Sequence, residues 1–140
     1  RERYEESLRL KRELGDQAGI VSALSNLGIL VRLQGHLAEA AQLQREAMDM
    51  RVALGLRHGI LEGLVNLAEI AAADLQPKRA ATLFGAATSL AQALSSPLPE
   101  AHGELQPRLE AARVEYPAAF ARGKAMSEAE AVSFARSHPK

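Results

Sequence analysis

Four histidines, His36, His58, His102 and His138, are the side chains of this 140-residue sequence best suited to proton transfer or metal binding. Their spacing argues against metal binding, because no pair has a separation such as H-x-x-x-H that sets two imidazoles on one helical face. Each falls at a predicted helix junction or at the chain end, where a solvated surface imidazole is expected. The sequence has no cysteine, which removes thiolate chemistry and cysteine zinc sites. "RGKAMS" at 122–127 ends like a phosphate-binding loop. That loop needs glycine where Ala118 stands and a hydroxyl where Ala125 follows Lys124. Neither G-x-S-x-G nor G-x-G-x-x-G occurs. Glu62 and Glu69 lie two turns apart on a predicted helix without a base or metal beside them, and read as solubilising charges. No enzyme, cofactor or metal is expected, since function must be argued from a site and no catalytic constellation appears.

A different chemistry is open to Asn26 and Asn66, which sit forty residues apart. A side-chain amide both donates and accepts, so a row of such amides can hold the backbone of a bound peptide, or each can bond to a neighbouring helix or loop and simply set register. Whether the two align depends on the elements that carry them. The chain is 47% hydrophobic and 24% charged, with Ala and Leu dominating and aromatics at 4%, a bias that favours helix and leaves little for strand. Seventeen basic and seventeen acidic side chains create no broad field for nucleic acid or anionic lipid. No apolar run approaches the roughly 20 residues of a membrane span, and no signal-peptide pattern opens the chain, so a cytoplasmic setting is expected.

Residues 1–40 laid over 41–80 give nine identities, seven of them between positions 14 and 27. Leu14, Gly15, Gly19, Ile20, Leu24, Asn26 and Leu27 recur as Leu54, Gly55, Gly59, Ile60, Leu64, Asn66 and Leu67. The series Ala40, Leu43, Ala47, Met50, Leu54 recurs as Ala80, Leu83, Ala87, Leu90, Leu94, an apolar stripe at helical spacing, and Leu10 and Leu14 read as the last rungs of an earlier one. Each unit is therefore a helix A (about 18–34, then 58–74) followed by a helix B (about 38–54, then 77–95). Gly35 and Pro77 separate A from B, while Gly15 and Gly55 suit left-handed helix ends. The expected division is 1–16, the second helix of a truncated repeat; 17–56 and 57–96, two repeats; and 97–140, capping helices and tail. The opening helix carries Glu5–Arg9 and Arg9–Glu13 pairs at four-residue spacing, each contributing about 0.3 kcal/mol. It begins within a helical pattern and without Met, as expected of a segment of a longer protein.

Leu24, Leu27, Gly28, Val31, Gly35, Leu37, Ala40 and Ala47, and again Leu64, Leu67, Ala68, Ala71, Pro77, Ala80, Phe84 and Ala87, resemble the large, small and turn residues of the tetratricopeptide repeat. The period is 40 rather than 34, and Leu75 stands in place of Gly35. "YEESLRLKRELGDQAGIVSALSNLG" and "KRAATLFGAATSLAQAL" further resemble the C-terminal helical-repeat region of large bacterial signalling and transcription-regulatory proteins, where a helix-turn-helix or cyclase domain and an NTPase module precede the repeats. The resemblance implies an all-α, right-handed helical-hairpin solenoid that serves as a non-enzymatic interaction or sensor module.

In such arrays the A helices line the concave face. Ser22, Ser25, Asn26, Ile29, Arg32 and Leu33 in the first unit, and Glu62, Val65, Asn66 and Glu69 in the second, are the candidate recognition residues, with Ala72 and Ala73 beside them. The expected partner is a protein or peptide, including other domains of the same full-length protein. Self-association through repeat edges is the alternative.

Beyond Leu94 the period fails, with Gln106 and Pro107 where Asn and Leu are due. Residues 100–115 read as a capping helix with Leu105, Leu109, Ala112 and Tyr116 inward. A short helix closed by Gly123 follows, and "SEAE" at 127–130 is a capping box opening a last helix. Val132 and either Phe134 or Ala135 are expected to pack that helix onto the cap, with Tyr116, Phe120 and Phe134 as core anchors.

Overall fold

A computed structural model of the chain describes residues 1–137, so His138 lies outside the described residues. Eight helices and no strand occur among them. Helix α1 (Glu2–Leu14) precedes two hairpins, α2 (Gln17–Leu33) with α3 (Leu37–Leu54) and α4 (Arg57–Ala73) with α5 (Pro77–Ala93). Then come α6 (Leu105–Glu115), α7 (Pro117–Lys124) and α8 (Glu128–Arg136). Each of α1 to α5 packs on the next, so one apolar core runs through the stack. A hairpin alone would leave half of its apolar surface in water; stacking removes it.

The forty-residue period is written into the backbone. Gly15, Gly55 and Ser95 take φ values of 68°, 68° and 50°, and Gly35 and Leu75 take 87° and 57°. At each, two carbonyls of the ending helix are satisfied in the same way: Gly55 N–H donates to Val52 O and Leu56 N–H to Arg51 O, as Ser95 does to Gln92 and Ser96 to Ala91. Glycine takes this conformation without steric cost; Leu75, 82% exposed, does not.

The core departs from the expected stripe in the first unit. Ala40 and Ala47 are fully buried, but Leu43 and Met50 are half-buried and Leu54 is exposed, while Ala41, Gln44, Met48 and Arg51 turn inward. Helix α3 is flanked by α2 and α4, so its buried surface is wider than one stripe and centred a residue away. In α5 the expected Ala80, Leu83, Ala87 and Leu90 are buried. On α1, Leu8 is the core residue, whereas Leu10 and Leu14 face water. Arg9 pairs with Glu13 at 2.7 Å and with Glu6, while Glu5 takes Arg1 at 3.2 Å.

The C-terminal helices cap the array by close approach. Gly123, expected to end a helix, lies inside α7, and a Cβ there would strike the Thr82 carbonyl; a Cβ on Gly85 of α5 would strike that of Phe120. Two missing side chains thus let α7 and α5 touch backbone to backbone. Phe84 and Phe120 close the seam edge to face, with centroids 5.8 Å apart. Leu105, Leu109 and Ala112 bury α6 against α4 and α5, and Tyr116 is half-buried at the α6–α7 corner, stacked by Lys78. Helix α8 opens on the capping box Ser127–Glu130 but packs against α3, α4 and α5 rather than α6. Arg79 fixes it there, stacking on Phe134 and donating to the Phe134 and Ser137 carbonyls at 3.1 and 2.7 Å.

Candidate functional site

The A helices α2 and α4 carry every candidate recognition residue, and the structure divides these into two groups. The first group turns inward and joins helix to helix. Gln44, reaching from α3 across Gly28, donates its amide to the Ser25 carbonyl at 3.0 Å. Asn66 donates to the Ser25 hydroxyl at 3.2 Å and to the Gln44 side-chain oxygen at 3.3 Å. Ser25 is 7% and Gln44 1% exposed, so these bonds satisfy groups that would otherwise be desolvated and unpaired. Gly28 leaves room for them: a Cβ there would lie 2.7 Å from the Gln44 amide nitrogen and push that side chain from its place.

A second internal set is ionic. The Glu69 carboxylate, 1% exposed, has Arg32 Nη2 3.1 Å from one oxygen and His102 Nδ1 2.9 and 3.0 Å from its two oxygens. The Arg32 contact is close but out of line for a hydrogen bond, and its side chain is 8% exposed. Glu69 is therefore a structural anion, not the solubilising charge expected of it: burial makes its neighbours Arg32 and His102 necessary. His102, expected to be simply solvated, holds the loop ahead of α6 against α4.

Val65 is also buried. What stays open is one stripe of α2, namely Ser22, Asn26 and Leu33, with Ile29 half-buried between them, and Glu62 on α4. Leu33 is 68% exposed. Asn26 and Asn66 hold equivalent positions in different surroundings, one facing water and one bonded between helices. Ser22 and Glu62 share a cavity of about 450 Å³ with Arg51, Arg57, His58 and Gly59, at the end of the groove where both A helices begin.

Spacing alone did not single out Gln44 or Arg51. The signal was there in part: both interrupt, at positions 44 and 51, the apolar face carrying Ala40, Ala47 and Met48. No group of three His, Asp or Glu residues that could hold a metal occurs among the described residues, and no described helix is long and apolar enough to cross a membrane. His36 and His58 are exposed, as expected of junction histidines.

A model of the tetratricopeptide repeat family matches residues 1–53, which span α1, α2 and nearly all of α3. The α4–α5 hairpin continues the same period beyond the match, and the fold is that of a tetratricopeptide-like helical-repeat solenoid. Neither curated proteins nor solved structures give a match to the chain. Repeats of this family generally mediate protein–protein interaction and are generally non-catalytic.

Proposed function

We propose that this chain is the partner-recognition segment of a larger bacterial signalling or transcription-regulatory protein in the cytoplasm, and that it docks a peptide or amphipathic helix on the exposed stripe of α2. The observation that carries this is the asymmetry of the two A helices. Ser25, Arg32, Val65, Asn66 and Glu69 are taken up internally, whereas Asn26, Ile29 and Leu33 recur at helical spacing with no internal bond to make. An apolar pair beside an amide suits a partner that supplies both apolar side chains and backbone polar groups.

The test is a photo-reactive residue placed in the cell of origin at Asn26 or Leu33, and for comparison at Gln42 or Glu46 on the exposed side of α3. Adducts of one mass at the two α2 positions, removed by adding Leu33→Asp at the Asn26 site, are expected. Adducts confined to α3 would reverse the assignment. A second reading, self-association, is favoured by the outer face of α1, where Tyr4, Leu10 and Leu14 are 42, 45 and 81% exposed. Sedimentation at tens of micromolar separates the two, because self-association requires a species heavier than the monomer.

A further inference from the structure

The cavity at the start of α4 contains a buried cation that makes no hydrogen bond. Arg51 is 3% exposed, yet its Nε and Nη1 make no hydrogen bond among the described residues. Its Nη2 lies 4.0 Å from the Glu62 carboxylate, beyond hydrogen-bond reach. Burial lowers the pKa of the guanidinium and Glu62 acts in the opposite sense. The side chain lies flat on α4, with its Cγ, Cδ and Nε 3.2 Å from where a Cβ of Gly59 would be. Beside it, Leu56 stands at the N-cap of α4, where its side chain cannot cap the first amides, so those of His58 and Gly59, two residues that line the cavity, have no side-chain partner.

The preceding hairpin shows what is missing. Forty residues earlier, Lys11 stands for Arg51, Asp16 for Leu56 and Gly19 for Gly59. There the Asp16 carboxylate accepts from the Gly19 amide at 2.9 Å, and the Lys11 stem lies over the same glycine. In one hairpin the chain supplies a carboxylate to the helix start beside a cation. In the next it keeps the cation, buries it more deeply and replaces the carboxylate by leucine.

We propose that the N-terminus of α4 and the Arg51 guanidinium bind an external oxyanion, a carboxylate or phosphate group, in the place that Asp16 fills at α2. The oxyanion accepts from the His58 and Gly59 amides and from Nη2 of Arg51, with the Ser22 hydroxyl and the exposed His58 side chain at the rim; Arg57, also in the lining, is paired with Glu128 at 3.0 Å. Glu62 is the one acidic side chain in the cavity lining and opposes binding. This site goes beyond the partner-docking reading and does not depend on it, since it takes a simple ion.

Amide and Arg Nε resonances of the chain, followed while sodium phosphate or sodium acetate replaces chloride at constant ionic strength, test the proposal. Saturable shifts at His58, Gly59 and the Arg51 Nε are expected, with Gly19, already capped, serving as the internal control. Leu56→Asp supplies the missing cap and should weaken the response about tenfold or more while the spectrum stays folded. Glu62→Gln should tighten it about threefold by removing a like charge. Saturation by both anions defines a general oxyanion site, and saturation by one alone names the group. No saturable shift at Gly59 by about 100 mM of either anion, equal shifts at Gly19, or an unchanged response in Leu56→Asp would overturn the proposal.

Discussion

Replacing Arg32 by methionine removes the cation from beside a carboxylate that is 1% exposed, and the consequence can be worked from the geometry. Breaking a buried pair by deleting one partner costs about 3–5 kcal/mol. Here the lower end applies, because His102 remains 2.9 Å from Glu69 as a hydrogen-bond partner to the carboxylate. The expected loss for Arg32→Met is about 3 kcal/mol, and for Glu69→Leu, which strands the arginine instead, about the same. The double variant Arg32→Met/Glu69→Leu leaves two apolar side chains of similar volume in contact. It should recover to within about 1 kcal/mol of the parent. For 140 residues the unfolding entropy is about 0.3 kcal/mol per degree. Each single variant should therefore lower Tm by about 10 °C and the double by about 3 °C or less. Calorimetry with urea midpoints as a second measure decides it. A single variant within about 0.5 kcal/mol of the parent, or a double variant as poor as the sum of the singles, would refute the claim that these charges hold the A helices together.

Two further outcomes follow from backbone strain and from a helix cap. Leu75 is held at φ 57° with its side chain in water, so Leu75→Gly relieves about 1–2 kcal/mol of steric cost. It gives back about half of that in unfolded-chain entropy, for a net gain of about 1 kcal/mol and a Tm rise of about 3 °C. A lower Tm would show that the turn is not strained. In the capping box the Ser127 backbone amide, and then its hydroxyl, hold Glu130 below the usual carboxylate pKa. A carboxyl depressed in the fold contributes fully above its unfolded pKa, and the contribution disappears as pH falls through the lower folded value. The Ser127 amide resonance should accordingly titrate with a midpoint below the ordinary glutamate range, and the transition should be absent in Glu130→Gln. A midpoint within the ordinary range would mean that the box does not form in solution.

The repeat architecture was legible because it rests on residues that recur at one interval. Gly15, Gly35 and Gly55 mark helix ends by a conformation other residues avoid, and the same interval locates the unexpected left-handed Leu75 and Ser95. The capping box at Ser127 was readable for a like reason, since its chemistry is local. The docking of the C-terminal helices was not. Gly85 and Gly123 carry no side chain to form a pattern, and their meaning appears only when α5 and α7 are brought together. The candidate recognition residues lie on the A helices α2 and α4, but spacing could not separate Asn26 from Asn66. That difference comes from Gln44 and Ser25, whose side chains reach one asparagine and not the other. Glu69 and His102 are distant in sequence and are joined only by the loop that precedes α6.

The claim that recognition falls on α2 is tested most directly by mapping adduct formation from photo-reactive residues at Asn26, Leu33, Gln42 and Glu46 in the cell of origin, by mass spectrometry. One shared adduct is expected from Asn26 and Leu33, none from Gln42 or Glu46, with loss of the shared adduct when Leu33→Asp is introduced beside the Asn26 probe. Adducts from Gln42 and Glu46 with none from Asn26 or Leu33 would contradict that claim and move the binding surface to the B helices.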